Sequence, residues 1–239
     1  MTHTFVSIDR VASAGRSLLT LNRDREYAIL KSLLSLRPTN SVLDVGSGDG
    51  FWTARFARNC ARITGIEPGN EALKHARELH QSSNVTYVRG IAESLPFPDA
   101  VFDKVVSISC VEHFADPGKG LLEMARVLRP GGRLAISVDS LLAENSPKSF
   151  RDWHMKRHYV TRYFRESELR DMVIAAGLSP DGNVVHLLRS RVAASLRQVF
   201  IRRPLACLPL FPLFYSVVRL SDRLANDFHG QILIAAAIR

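Results

Sequence analysis

Residues 42–50 read Val-Leu-Asp-Val-Gly-Ser-Gly-Asp-Gly, and this stretch decides the fold. It predicts an apolar strand, a glycine-rich turn, and a helix that begins near Phe51. Gly46, Gly48 and Gly50 leave out side chains where a ligand would press against the backbone, and glycine adopts backbone angles that other residues avoid. The first N–H groups of a helix lack intrahelical partners and are suited to a carboxylate or phosphate. The unit therefore predicts a ligand site at the end of the strand.

The next predicted strand ends in Glu67, which lies 21 residues after Gly46. An acid about 20 residues beyond such a loop is placed to accept hydrogen bonds from a ribose diol, as in dinucleotide and S-adenosylmethionine sites. The dinucleotide fingerprint G-x-G-x-x-G would place its third glycine at Phe51. In addition, Asp44 and Asp49 flank the loop, and their charge disfavours a pyrophosphate but suits the ammonium and sulfonium of S-adenosylmethionine. The spacing therefore favours S-adenosylmethionine.

With these motifs, the chain resembles the class I S-adenosylmethionine-dependent methyltransferases. It is most similar to the small-molecule branch of the ubiquinone and menaquinone enzymes (methyltransferase type 11). The resemblance covers roughly residues 24–190 and the last ten. Four segments carry it: residues 42–50, 63–69, 90–97 and 122–137, the last with Leu-Arg-Pro-Gly-Gly at 128–132.

The resemblance implies S-adenosyl-L-methionine as cofactor, S-adenosyl-L-homocysteine as product, and no metal. It places the methionine part of the cofactor in the glycine loop, the ribose at the acid after strand two, and the adenine beside an Ala-Glu pair after strand three. The cofactor-binding residues it implies are Asp44, Gly46, Ser47, Gly48, Gly50, Glu67, Pro68, Ala92, Glu93 and Ser109.

Methyl transfer requires alignment of nucleophile, methyl group and sulfur, and in some reactions a base that deprotonates the acceptor. In related enzymes the loop after strand four, residues 109–114 here, borders both cofactor and substrate. His113 is therefore the candidate base or substrate contact, and a histidine that only packs or caps a loop is the open alternative. The aromatic and basic stretch 153–164 offers further candidate substrate contacts, which are His154, His158, Tyr159 and Tyr163.

Strand and helix patterns alternate at βα spacing, which predicts an α/β fold. We expect a Rossmann-like, doubly wound, seven-stranded sheet that is mostly parallel, with an antiparallel last strand and helices on both faces. The predicted strands are residues 41–45, 62–67, 84–88, 102–108, 132–138, 182–188 and 230–238, and the predicted helices are 4–21, 25–36, 51–59, 70–79, 118–128 and 166–176. One domain is expected: N-terminal helices (1–40), a cofactor-binding core (41–189), a helical basic and apolar lid insertion (190–229) and the last strand (230–239).

The net charge of +9 is concentrated in one part of the chain. Residues 1–146 hold 17 Lys/Arg and 16 Asp/Glu, whereas residues 147–223 hold 14 and 6. Such a stretch is expected to face an anionic partner. Cys60, Cys110 and Cys207 lie far apart and predict neither a disulfide framework nor a metal site. With no secretory signal recognised near the start, we expect a cytoplasmic protein.

The insertion is the most distinctive part of the sequence. Residues 191–203 predict a helix with one apolar face (Val192, Leu196, Val199, Phe200) and with Arg191, Arg197 and Arg202 off that face. The uncharged run 205–218 is shorter than the roughly 20 residues that span a bilayer, and two prolines interrupt it, so no transmembrane helix is expected.

Two interpretations of the insertion remain open, and both favour an apolar substrate. It is either a lid or homodimer surface, or an interfacial segment over residues 191–220 that contacts anionic lipid on the cytoplasmic membrane face.

The leading functional hypothesis is methyl transfer to oxygen or carbon of a small lipophilic acceptor, such as a quinone, lipid or glycolipid intermediate. One alternative is an RNA-modifying methyltransferase that uses the basic stretch 147–223. Enzymes that methylate base amines carry Asp/Asn-Pro-Pro-aromatic after strand four, where this chain has Ser-Cys-Val-Glu (residues 109–112), so nucleic acid is disfavoured. A non-catalytic cofactor-binding or membrane-associated protein is the other alternative.

Overall fold

An eight-stranded sheet lies at the centre of the computed structural model, which describes residues 20–142, 144–225 and 229–239. The strands are β1 (Ser41–Val45), β2 (Arg62–Glu67), β3 (Val85–Arg89), β4 (Phe102–Ile108), β5 (Leu128–Asp139), β6 (Ser179–Pro180), β7 (Val185–Leu187) and β8 (Ile232–Ile238). Their order is β3-β2-β1-β4-β5-β8-β6, and β7 also pairs with β8. Strands β1 to β5 are parallel, whereas β8 is antiparallel to β5, β6 and β7. The predicted mostly parallel sheet with an antiparallel last strand is confirmed.

The central strands are buried on both faces, as their continuous apolar runs require. All five residues of β1 are buried. In register, Asp44 of β1 pairs with Gly65 of β2 on one side and Val106 of β4 on the other. The loops that follow these three strands therefore lie side by side at one edge of the sheet.

Helices cover both faces of the sheet, as predicted. They are α1 (Arg23–Leu34), α2 (Phe51–Ala57), α3 (Asn70–Leu79), α4 (Pro117–Val127), α5 (Lys148–His158), α6 (Glu166–Ala175), α7 (Arg191–Arg202), α8 (Pro204–Cys207) and α9 (Phe211–Leu224). One core cluster includes Leu121 of α4 and Leu169 of α6, and the other includes Leu30 of α1 and Phe200 of α7. The helix predicted over 4–21 lies outside the described residues except for its last two positions.

The predicted sixth strand, residues 182–188, is a strand only at β7, and the two-residue strand β6 precedes it. β6 pairs with the end of β8 at Ala237 and Ile238, whereas β7 pairs with its beginning at Ile232 to Ile234. Between them the chain turns, and the Asp181 N–H donates to the Ala236 carbonyl. The unpredicted β6 gives eight strands where seven were expected.

The apolar run in the insertion is helical for longer than the sequence suggested. Helix α8, a 3₁₀ turn and helix α9 follow one another over Pro204–Leu224. Pro209 and Pro212 each occupy the first turn of a helical element, where the missing N–H would have no partner. By length and composition alone this 21-residue run is sufficient to cross a membrane, and 11% of its most apolar window is buried. The expectation that the run is too short and broken is therefore wrong.

Helix α7 is rotated relative to its predicted apolar face. Its buried side chains include Arg197 and Phe200, whereas Val192 and Val199 are about half exposed. The reason is that Arg197 forms an ion pair with buried Asp139 of β5 at 2.6 Å. The predicted placement of Arg197 off the buried face is wrong.

Candidate active site

Three cavities open at the edge where the parallel strands end. The Glu67 cleft, of about 720 Å³, is lined among others by Gly46, Glu67, Pro68, Ala92, Glu93 and His113. The Gly48 cleft, of about 370 Å³, is lined among others by Asp44, Ser47, Gly48, Asp49 and Ser109. The Arg197 cavity, of about 260 Å³, is lined among others by Arg23, Glu112, His113, Asp139, His154, His158 and Arg197.

The three cavities share walls, so they form one site. Gly46 and Cys110 line both clefts. Arg23 and Ser109 line the Gly48 cleft and the Arg197 cavity, and His113 lines the Glu67 cleft and the Arg197 cavity. A ligand extended over the glycine loop would therefore meet a second ligand near Ser109 and His113.

The backbone holds the Glu67 carboxylate at the end of β2. Its Oε2 accepts from Gly48 N–H at 3.1 Å, and its Oε1 accepts from Gly69 N–H at 3.0 Å. Because both oxygens are fixed in the wall of the cleft, the carboxylate is preorganised to accept further hydrogen bonds from a diol.

The glycine loop approaches the turn after β4 too closely for side chains. A Cβ on Gly46 would lie 2.0 Å from Cys110 Sγ, and Gly46 has a φ of +80°. A Cβ on Gly48 would have no atom within 4 Å, because this glycine borders open cleft. Next to it, Ser47 Oγ is buried and has no hydrogen-bond partner among the described residues. An open cradle with an unpartnered hydroxyl fits the polar methionine part of S-adenosylmethionine.

Asp44 lies beneath this loop and is only 2% exposed. Its Oδ2 accepts from the Thr53 hydroxyl at 2.6 Å. Burial, helped by the Glu67 carboxylate and opposed by the Thr53 hydrogen bond, raises the pKa of Asp44 to about 6. A cationic ligand group in the Gly48 cleft would favour the ionised form.

Glu93 is largely engaged with the protein. Its Oε1 accepts from the N–H groups of Ala115 at 2.8 Å and Asp116 at 3.2 Å. It thus holds the loop before α4 against the Glu67 cleft. Ala92 is buried and Pro68 is exposed in the same cleft.

Arg197 and Asp139 form the polar floor of the Arg197 cavity. Burial alone would raise the pKa of Asp139, but Arg197 and His154 outweigh it and lower the pKa below its ordinary value. Asp139 N–H donates to Glu112 Oε1 at 3.1 Å, while Glu112 Oε2 is buried without a partner among the described residues. Burial and the Asp139 carboxylate raise the pKa of Glu112 well above its ordinary value. The unpartnered Oε2 of Glu112 is therefore a candidate hydrogen-bonding group for a ligand in this cavity.

Both ring nitrogens of His154 face protein groups. Nε2 lies 3.6 Å from Asp139 Oδ2, and Nδ1 lies 3.0 Å from the Tyr163 hydroxyl. Burial lowers the pKa of His154 to about 4, so the ring is neutral at pH 7. With the ring's proton on Nε2, Nδ1 accepts from the Tyr163 hydroxyl, whose single proton is shared with the Arg151 carbonyl oxygen 3.3 Å away. His154 thus lines the cavity, and Tyr163 supports it from behind.

His113 is exposed at the junction of the cavities. Its Nδ1 lies 3.3 Å from the Tyr159 carbonyl oxygen. Because a carbonyl only accepts, this contact puts the proton on Nδ1 and makes Nε2 the acceptor of the neutral ring. The Tyr159 side chain is 84% exposed, so the structure does not bring it to the cavity. Its role as a substrate contact stays a prediction.

Comparison with known proteins identifies the centre of the chain. The family described as a methyltransferase domain matches residues 43–136. Over these residues the chain is therefore similar to the methyltransferase domain family. The match covers the glycine loop, Glu67, the Ala92-Glu93 pair and the His113 loop.

Two curated relatives act in quinone chemistry by name. The ubiquinone/menaquinone biosynthesis C-methyltransferase UbiE of Vibrio vulnificus (strain YJ016) is 39% identical over 107 residues, or 42% of this chain and 41% of that protein. The chloroplastic 2-methyl-6-phytyl-1,4-hydroquinone methyltransferase 2 of Oryza sativa subsp. japonica is 40% identical over 93 residues, or 38% of this chain and 27% of that protein. The chain thus matches about two fifths or less of the length of these relatives.

The methyltransferase fold extends over most of the chain. A geranyl diphosphate C-methyltransferase from Streptomyces coelicolor A3(2), solved with Mg²⁺, geranyl diphosphate and S-adenosyl-L-homocysteine, superposes with a TM-score of 0.69 at 16% identity. The superposition covers 91% of this chain and 77% of that one. Among the residues that our structure describes, no group of three or more His, Cys, Asp or Glu side chains is placed to hold a metal ion.

Four charged side chains of the Arg197 cavity were not among the predicted site residues: Arg23, Glu112, Asp139 and Arg197. Asp139 could have been found, because it ends β5 at the edge where ligands bind. Arg197 could not have been found, because helical periodicity indicates the side of the helix on which a residue lies but does not reveal a partner 58 positions away.

Proposed function

We propose that this protein transfers the methyl group of S-adenosylmethionine to an oxygen or carbon atom of a small lipophilic acceptor. The observation that carries the proposal is the shared wall between the cavities. Ser109 and His113 stand where the Arg197 cavity meets the two clefts over the glycine loop. A methyl donor in the clefts and an acceptor in the cavity would meet there, as an in-line displacement requires.

The residues of the two clefts suit the cofactor. Asp44, Ser47 and the glycine loop would hold the charged methionine part, and Glu67 the ribose. Ala92 and Pro68 would border the adenine, and Glu93 would hold the loop behind it. Bound S-adenosylmethionine supplies an activated methyl group. Ser109 donates its hydroxyl proton to Glu26 at 2.8 Å, which keeps the turn after β4 in place.

His113 is the residue best placed to take the acceptor's proton. Its Nε2 is an acceptor, and it lies beside both the donor cleft and the acceptor cavity. His154 is less suited, because both of its nitrogens are engaged and its pKa is low. In this proposal His113 receives the proton that the acceptor loses when its oxygen or carbon is methylated.

The Arg197 cavity favours an acceptor with a polar head and an apolar body. Arg23, Glu112 and Arg197 offer hydrogen bonds on its floor, and Phe200 and Ile201 of α7 form an apolar wall. A hydroxylated ring with a prenyl or acyl chain has this chemistry. The names of the quinone and phytyl-hydroquinone relatives support this acceptor class.

Calorimetric titration with S-adenosylhomocysteine, with NAD as the control, tests the cofactor first. We expect micromolar binding of the former and none of the latter. The acceptor is then tested by measuring methyl transfer to phenols and hydroquinones that carry alkyl tails of increasing length. Binding without transfer to any of them, together with transfer to RNA, would refute the lipophilic acceptor. No cofactor binding at all would refute methyl transfer.

A further inference from the structure

The insertion carries most of the large apolar side chains that are exposed in the described chain. Of the twelve large apolar side chains that are exposed in the described residues, eight lie in α7, α8, the 3₁₀ turn and α9. They are Val192, Val199, Leu205, Leu208, Leu210, Leu213, Leu220 and Leu224, which we call the leucine surface. Leu205 is 85% exposed and Leu224 is 72% exposed. Exposed apolar side chains concentrated in one segment in this way mark an interaction surface.

Positive charge accompanies this surface, and exposed negative charge is missing from its segment. Residues 189–225 contain seven arginines and a single acidic residue, Asp222. Asp222 is 5% exposed and accepts from the N–H groups of Leu188 and Arg189, so it faces inward. Arg197 is also buried, in its ion pair with Asp139. The exposed arginines are Arg191, Arg202, Arg203, Arg219 and Arg223.

The protein holds α9 by its other face. Val218 is fully buried, and Asp222 pairs with Arg25 of α1 at 2.8 Å. The Tyr215 hydroxyl donates to Asp24, also in α1. A helix that is bonded to its own protein along one side and is apolar on the other is suited to lie in a membrane–water interface. A membrane-spanning helix would instead face lipid or protein along its whole length.

We propose that the leucine surface docks this protein onto an anionic bilayer, with the leucines among the acyl chains and the arginines at headgroup level. Charge favours this occupant. A second copy of the chain would place like-charged arginines opposite one another, and a nucleic acid would leave the leucines without partners. Helix α7 joins the docked surface to the Arg197 cavity through Phe200 and Ile201. Delivery of a lipophilic acceptor by this route rests on the proposed function, but docking does not.

Flotation with vesicles tests the docking. We expect the full chain to float with phosphatidylglycerol/phosphatidylcholine vesicles and to bind pure phosphatidylcholine at least about tenfold more weakly. Leu205→Glu/Leu213→Glu should lower binding to the anionic vesicles by about tenfold or more, because two exposed leucines that would enter the acyl chains become charged. The matched control is Leu122→Glu/Ile174→Glu, which changes two side chains that are 52% and 51% exposed elsewhere. This control should float like the unmodified protein.

Three results would overturn the proposal. The first is equal flotation of Leu205→Glu/Leu213→Glu and its control. The second is resistance of the bound protein to carbonate extraction, which would show a spanning helix. The third is sedimentation as a dimer that Leu205→Glu/Leu213→Glu dissociates while flotation stays unchanged. Arg219→Gln/Arg223→Gln adds an independent readout, since it should weaken binding at low salt and abolish much of its salt dependence. S-adenosylhomocysteine titration of the same samples separates the two proposals: a docking variant should keep its cofactor affinity.

Discussion

At the scale of single residues, Glu67 offers the sharpest test of the cofactor site. Glu67→Ala should weaken S-adenosylhomocysteine binding by about 1–3 kcal/mol, as expected when a hydrogen bond to a charged group is lost. Glu71→Ala is the control, because Glu71 is an exposed acid in the first turn of α3. Calorimetry on both variants measures the difference. Equal affinities would remove the ribose assignment.

Titration of Asp44 should make the free energy of unfolding of the cofactor-free protein depend on pH. Its native pKa of about 6 lies above the ordinary value of 3.8, so the native state holds its proton more tightly than the unfolded chain. The stability that this group contributes is therefore complete below about pH 4 and is lost as the pH rises through 6.

Asp44→Asn removes that titration and still accepts the Thr53 hydroxyl proton. Relative to the unmodified protein, the variant should gain about 2 kcal/mol between pH 4 and pH 7, since one pKa unit corresponds to about 1.4 kcal/mol and the unfolded carboxyl is already partly ionised at pH 4. Urea unfolding at both pH values measures the gain. Parallel stability profiles would show that Asp44 does not titrate in this range.

His113 has a predicted effect on rate and little on cofactor affinity. His113→Asn should lower kcat about 10²–10⁴-fold, because a base would be lost. S-adenosylhomocysteine affinity should stay unchanged. His154→Gln is the comparison, and its rate should fall less, because His154 is engaged on both nitrogens. A fully active His113→Asn enzyme would assign the histidine to packing only.

At the scale of elements, the loop between β1 and α2 packs against the turn after β4. Substitutions at two glycines of this loop distinguish the cost of a left-handed backbone from the cost of a steric clash. Gly48→Ala meets no atom within 4 Å and should cost about 1–2 kcal/mol from its left-handed backbone alone. Gly46→Ala has the same backbone cost and adds a clash with Cys110, so its loss of unfolding free energy should be clearly larger. Urea unfolding of the pair measures this. Equal losses would show that Cys110 moves aside freely.

Sequence patterns predicted the strands of the core almost to the residue, but they did not reveal the charged side chains that line the Arg197 cavity. β1, β2 and β4 have the predicted bounds, because each is an apolar run that ends at a turn or an acid. Helix α5 was not predicted, because its residues are mostly polar and show little helical periodicity. The glycine loop and Glu67 are local motifs, whereas the Asp139 and Arg197 pair joins elements that only the fold brings together.

At the scale of the whole molecule, two ion pairs attach the insertion to the core. Arg197 reaches Asp139 of β5, and Asp222 reaches Arg25 of α1. The sequence showed the excess of arginines in the insertion but not which of them turn inward. The inward pairs divide the insertion into a face that lines the Arg197 cavity and a face that is exposed.

Asp222 should be the more consequential of these anchors. It accepts from Leu188 N–H at 2.8 Å and Arg189 N–H at 2.7 Å, in addition to its ion pair with Arg25. Asp222→Ala should therefore destabilise the protein by about 3–5 kcal/mol, the range for a broken buried pair. Hydrogen exchange should accelerate in residues 191–224 while β1 and β4 keep their protection. Arg223→Ala is the control, because its neighbouring side chain is exposed. Uniform acceleration across the sheet would show that the insertion and the core unfold as a single unit. Acceleration confined to residues 191–224 would show that the insertion opens independently as a lid over the Arg197 cavity.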